Sequence, residues 1–257
     1  MQAFACVCLL LLAGFGPSTA ASPGDDEAAG PKSLDICVRP NAPFFVFEDS
    51  GSYSGLEYDL LIALAESQGL EARFRVPPSF VAMMDEIEAG TCAIAAGTIT
   101  VTAARRARMD FSPSYFPVRI VAVEPKASLS TKPEHLRGKR AATIAGSTYL
   151  KAIEDIGEVE KTWVESSRQM FAALERGEVD FLACDSAIVL SLIESYPQLR
   201  VTVPLSERDE LAFAMPKGSP WGEPFRVLMD RLRQDGTYRK ILSRYFDAEG
   251  VSLILDE

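Results

Sequence analysis

Three short runs of this sequence set polar chemistry directly behind apolar, strand-like stretches. Thr98, Thr100, Thr102 and Arg105 follow "CAIAA"; Gly146, Ser147 and Thr148 follow "RAATIA"; Asp185 and Ser186 follow "VDFLAC". The first run offers a guanidinium with hydroxyls, the second backbone N–H groups at a helix start, the third a carboxylate. Arginine binds a carboxylate through two parallel charge-assisted bonds, a helix N-terminus adds donors, and an aspartate accepts from an ammonium. Brought together, the three would receive a zwitterion.

Arg105 sharpens that reading. Thr102 reads as an N-cap and the alanines and arginines after it as a helix, which puts Arg105 in the first turn. A cation there meets the positive end of the helix dipole, at a cost of about 0.3–1 kcal/mol. No Asp or Glu lies between Ala93 and Arg108 to offset it. Either the side chain swings into solvent or the chain expects an anionic guest.

The elements that must position these groups alternate. "LDICVRP" predicts a strand; "EYDLLIALAESQ" a helix with Leu60, Leu61, Leu64 and Ala65 on one face and Gly69 as its stop; "EARFRV" a strand; "SFVAMMDEIEAG" a helix with Phe80, Met83, Met84 and Ile87 at helical spacing; and "CAIAA" a short buried strand. The same order returns in "RAATIA", "STYLKAIEDI", "KTWV", "SSRQMFAALERG" and "EVDFLAC". Strands joined through helices of this length imply parallel pairing with helices on both sheet faces. Two similarly built α/β lobes follow, each a mainly parallel sheet: lobe 1 over residues 33–119 and 214–257, lobe 2 over 120–213. The extended runs "VRIVAVEPK" and "ELAFAMPKG" would carry the chain across and back, with hinge strands near 118–124 and 209–215. Two helices in the tail, broken at Asp235-Gly236, would return to lobe 1.

Composition narrows the function. The chain has 257 residues, 47% hydrophobic and 24% charged, enough to bury one or two cores. A net charge of -10 and a pI near 4.8 argue against nucleic acid or an anionic membrane surface as partner. The opening apolar run, Phe4 to Phe15, is too short to span a bilayer and precedes small residues, which reads as a signal peptide over residues 1–20, although no Lys or Arg precedes the run. A flexible lead-in over residues 21–32 would follow, leaving an exported chain without stable membrane insertion. Cys37, Cys92 and Cys184 then remain, an odd number, so at least one thiol is unpaired in a monomer; all three sit in apolar runs and read as buried small hydrophobes. The one histidine, His135, stands in a polar connector, which excludes a histidine triad and a multi-histidine metal site. No phosphate-binding glycine loop appears, and no cofactor is expected.

The stretches "APFFVFEDSGSYSGLEYDLLIALAESQGL", "TVTAARRARMDFSPSY", "AGSTY", "LERGEVDFLACD", "FAMPKGSP" and "LRQDGTYRKILSRYF", in this order, resemble the periplasmic solute-binding proteins of amino-acid ABC transporters, the bacterial extracellular solute-binding proteins of family 3. The resemblance implies a two-lobed, class II Venus-flytrap fold that closes on an amino acid, works as a monomer and delivers its ligand to an ABC permease. It implies that Arg105 clamps the α-carboxylate with the N–H groups of Thr100 and Thr148 and a hydroxyl of Ser147 or Thr148. Asp185, the Thr100 hydroxyl and the Thr98 carbonyl would hold the ammonium. Phe80 falls where relatives set an aromatic over the ligand, and Asn41 where a second aromatic is usual. Val38, Ile144 and Cys184 fall where relatives carry groups for polar side chains, which implies an apolar pocket and a neutral amino acid. Plainer roles stand beside these: Arg105 on a solvated basic face, Asp185 as N-cap, Thr148 as helix start, Phe80 as core, Asp59 as structural. Enzymes that dehydrate prephenate or arogenate resemble the same fold, and a ligand-sensing partner is a third class.

Overall fold

The computed structural model describes residues 32–255; the segment read as a signal peptide and most of the lead-in lie outside them. In chain order, β1 (Ser33–Val38), the short hairpin β2 (Val46–Phe47) and β3 (Tyr53–Ser54), α1 (Leu56–Ser67), β4 (Glu71–Arg75), α2 (Phe80–Glu88), β5 (Ile94–Ala96), α3 (Ala103–Arg108) and β6 (Asp110–Phe111) come first. The apolar spacing explains the helices: α1 buries Leu56, Leu60, Leu61 and Leu64, and α2 buries Met83, Met84 and Ile87. Ser79 caps α2 by accepting from the Ala82 N–H.

The chain then runs through β7 (Phe116–Val118), β8 (Ile120–Pro125), β9 (Arg140–Thr143), α4 (Thr148–Ile156), β10 (Glu160–Trp163), α5 (Ser167–Glu175), β11 (Phe181–Asp185), α6 (Ser186–Leu192), β12 (Leu199–Pro204) and β13 (Asp209–Leu211). It ends in β14 (Ala214–Met215), α7 (Gly222–Gln234), α8 (Thr237–Leu242) and α9 (Ala248–Leu255).

Two five-stranded sheets result, in the orders β4-β1-β5-β14-β6 and β10-β9-β11-β8-β12. Each combines a parallel half with an antiparallel half: β4, β1 and β5 are parallel, as are β10, β9 and β11, whereas β14 runs against β5 and β6, and β8 against β11 and β12. The antiparallel members are the strands by which the chain enters or re-enters a sheet, so no crossover helix dictates their direction. Between the sheets, β7 and β13 pair antiparallel, Phe116 opposite Leu211. Among the described residues three cores form, one around Ile36, Leu60, Phe213 and Phe225, a second around Ala142, Phe171, Phe181 and Ile188, and a third around Met83, Ile87, Ala95 and Met109.

The cysteines correct the reading of three lone hydrophobes. Cys37 of β1 and Cys92, just before β5, form a disulfide across 55 residues of sequence. All three are buried as expected, and Cys184 is the free thiol among the described residues.

Candidate functional site

In open α/β sheets, ligand-binding loops lie beyond the carboxyl ends of strands. Here the segments leaving β5, β9 and β11 converge on one cleft, narrow inside at about 50 Å³ and open at its mouth.

One wall is built behind β5. The Thr102 hydroxyl accepts from the Arg105 N–H, capping α3 and setting Arg105 in its first turn. The guanidinium is half-buried and turns back into the cleft, donating from Nη1 to the Thr100 carbonyl at 2.7 Å and from Nη2 to the Gly146 carbonyl at 3.2 Å. It also lies over the Phe80 ring, 5.2 Å from its centroid. Among the described residues no carboxylate pairs with it, and burial lowers its pKa, an effect that the charge of Asp185 partly opposes. Thr100 stands opposite Leu211 in an isolated bridge whose hydrogen bonds are made by Val101 and Ala212, so its own N–H points away from that strand.

Thr98 adopts a left-handed backbone, φ 51°, rare for a threonine. Its conformation has a visible cause: buried Glu57, in the first turn of α1, accepts at Oε1 from the N–H groups of Gly97 and Thr98 at 3.2 and 2.8 Å, and from the Tyr115 hydroxyl. Asn41 donates to the Thr98 hydroxyl at 3.0 Å.

The facing wall comes from the second sheet. Ser147 caps α4, so the N–H of Thr148 opens that helix without an intrahelical acceptor. The Thr148 hydroxyl lies 3.4 Å from that of Thr100 across the cleft. Gly146 is needed where it stands: its φ is 71°, and a Cβ would come within 3.0 Å of Val81 on the opposite wall. Asp185 ends β11 with 1% of its surface exposed. Its Oδ2 accepts from the Tyr149 hydroxyl at 2.6 Å, while Oδ1 is buried with no partner. Burial raises its pKa to about 7, against the lowering influence of the Tyr149 bond and of Arg105.

Arg105, Asp185, Thr100, Thr98, Thr148, Ser147, Phe80 and Asn41 all line this cleft. Cys184 does not: it is 0% exposed inside the second core, one residue before Asp185 on a strand whose successive side chains face opposite ways. Val38 is likewise core, so of the three positions that suggested an apolar pocket only Ile144 reaches the cleft. Sequence reasoning missed Arg39, Glu57 and Tyr149. Tyr149 was legible in principle, since it is the residue after the N-cap turn in "AGSTY".

Among known proteins, the family model of bacterial extracellular solute-binding proteins, family 3, matches residues 34–248. A probable histidine-binding protein of Neisseria gonorrhoeae is 26% identical, with 96% of this chain and 95% of that protein covered. A membrane-bound lytic murein transglycosylase F of Methylobacillus flagellatus is also 26% identical over 82% of this chain, but this chain spans only about half of that relative, 48%. The crystal structure of a substrate-binding protein of an amino-acid ABC transporter superposes with a TM-score of 0.78 at 21% identity, covering 83% of this chain and 99% of that one. Matched along nearly all of its described length and carrying the fold of such proteins, the chain belongs to the bacterial extracellular solute-binding proteins of family 3.

Proposed function

We propose that the protein binds a free amino acid in this cleft outside the cytoplasm and hands it to an ABC permease. The observation that carries the reading is the presence in one cavity of Arg105, hydrogen-bonded only to carbonyls, and of Asp185 Oδ1, buried and unpartnered. An α-carboxylate would take the guanidinium together with the N–H groups of Thr100 and Thr148. An α-ammonium would satisfy Oδ1, with the Thr100 hydroxyl and Thr98 carbonyl beside it, and Phe80 would cover the ligand.

Closure follows from the same geometry. Arg105 and Phe80 belong to the first wall, Thr148 and Asp185 to the second, so a ligand touching both favours the closed arrangement by its differential contacts. Among the described residues no helix is long and apolar enough to cross a membrane. In a dehydratase, Asp185 would have to act as general acid rather than hold an ammonium. Turnover of prephenate with no stabilisation by amino acids would favour that second reading.

The test is Arg105→Ala with calorimetric titration of amino acids that bind the wild type. Affinity should fall at least 100-fold while ligand-free melting stays within a few degrees. Near-wild-type affinity in the variant removes Arg105 from the site.

A further inference from the structure

Arg39, directly after β1, is the second arginine lining the cleft. Gly97 lets it pass, because a Cβ there would come within 2.9 Å of the Arg39 Cβ. Its Nη1 donates to the Pro77 carbonyl at 3.2 Å and its Nη2 to the Glu165 carbonyl on the other wall at 2.7 Å. Both acceptors are neutral, and among the described residues no carboxylate pairs with Arg39.

The Glu165 contact sets this guanidinium at the N-terminus of α5. Ser166 is the N-cap; its oxygen accepts from the Gln169 N–H, which leaves its own O–H free to donate. The N–H groups of Ser167 and Arg168 open the helix without intrahelical acceptors. Ser167, 7% exposed, lines the cleft beside Arg39, and its hydroxyl makes no hydrogen bond among the described residues.

A zwitterion uses Arg105 and Asp185 one for one, which leaves Arg39 with carbonyl partners only, beside the positive end of a helix; Glu165 also lines the cleft, but its carboxylate makes no ion pair with Arg39. A ligand with a neutral side chain leaves it so. A ligand with a side-chain carboxylate compensates it and finds serine hydroxyls and helix N–H groups at the same place. We propose that Arg39, Ser166 and Ser167 form a second anion subsite that takes a side-chain carboxylate, so that the cleft selects amino acids with two carboxylates. This inference rests on the zwitterion reading of Arg105 and Asp185, and it reverses the neutral-ligand expectation, two of whose three supports lie in the cores.

The experiment is calorimetric titration of the full chain with L-glutamate, L-aspartate, L-glutamine and L-alanine, repeated for Arg39→Gln and Ser167→Ala. At least one dicarboxylic amino acid should bind tenfold or more tighter than L-glutamine and L-alanine. Arg39→Gln should reduce that preference to threefold or less, and Ser167→Ala should reduce it severalfold even if the arginine variant fails to fold. The ratio is the readout because the cross-cleft bond of Arg39 to Glu165 bears on closure around every ligand alike. Neutral amino acids bound as tightly as dicarboxylic ones, or a preference unchanged in both variants, overturns the subsite and leaves the zwitterion reading standing. Binding of none of these four overturns the subsite, and binding of none of the twenty common amino acids in the same titration overturns both.

Discussion

Two buried carboxylates, Glu57 and Asp185, look alike at first and differ in what surrounds them. Each is held by burial at a pKa of about 7, and each has one oxygen without a partner. Glu57 gathers two backbone N–H groups and the Tyr115 hydroxyl on its other oxygen, away from the cleft, and thereby braces the Gly97–Thr98 turn. Asp185 receives a single hydroxyl and faces the cavity that holds Arg105. The contrast separates two uses of the same chemistry. An orphan oxygen inside a core belongs to a carboxyl that organises backbone through its other oxygen; one on a cleft wall waits for a donor from outside.

Breaking the bracing carboxylate should have the largest effect. Glu57→Ala leaves three buried donors without their acceptor, at about 1–3 kcal/mol each, so stability should fall by at least about 3 kcal/mol and the melting temperature by roughly 10 °C. Glu57→Gln keeps an acceptor oxygen in place and should stay within about 1 kcal/mol. Chemical denaturation of both variants checks the pair. Equal losses in the two would mean that the charge, and not the acceptor oxygen, holds the turn.

Asp185→Asn should act in the opposite direction in the absence of ligand. A carboxyl raised from 3.8 to about 7 contributes stability that is fully present below the unfolded value and is lost as pH rises through the folded one. Near pH 8 the amide should therefore make the empty protein more stable, by about 1–4 kcal/mol, and the advantage should fade towards pH 4. Melting curves of wild type and variant across this window measure it. A variant less stable at every pH would class Asp185 with Glu57, as a structural group.

The α/β alternation and the polar run behind each strand were legible because amphipathic spacing and strand ends are local properties. Arg105 was legible for the same reason: a cation in a first helical turn without a nearby acid is a conflict visible in ten residues. Glu57 was not, since in sequence it is one more acidic residue opening a helix, and its three donors come from residues 97, 98 and 115. The Cys37–Cys92 pairing depends on strand register in the same way. The errors at Val38 and Cys184 are errors of parity. A strand turns successive side chains to opposite faces, so Cys184 cannot face the cleft together with its neighbour Asp185, nor Val38 together with Arg39. Arg39 and Asp185, the immediate neighbours, line the cleft instead.

The most direct test of the central claim, that Asp185 receives the ligand's ammonium as a carboxylate, is the proton balance of binding. Titrating an amino acid calorimetrically near pH 6, in buffers of different ionisation enthalpy, counts the protons exchanged. With the free carboxyl at about 7, wild type should release close to one proton per ligand bound, affinity should rise as pH climbs to 7 and then level, and Asp185→Asn should release none. Tight binding by wild type with no proton released would contradict the account.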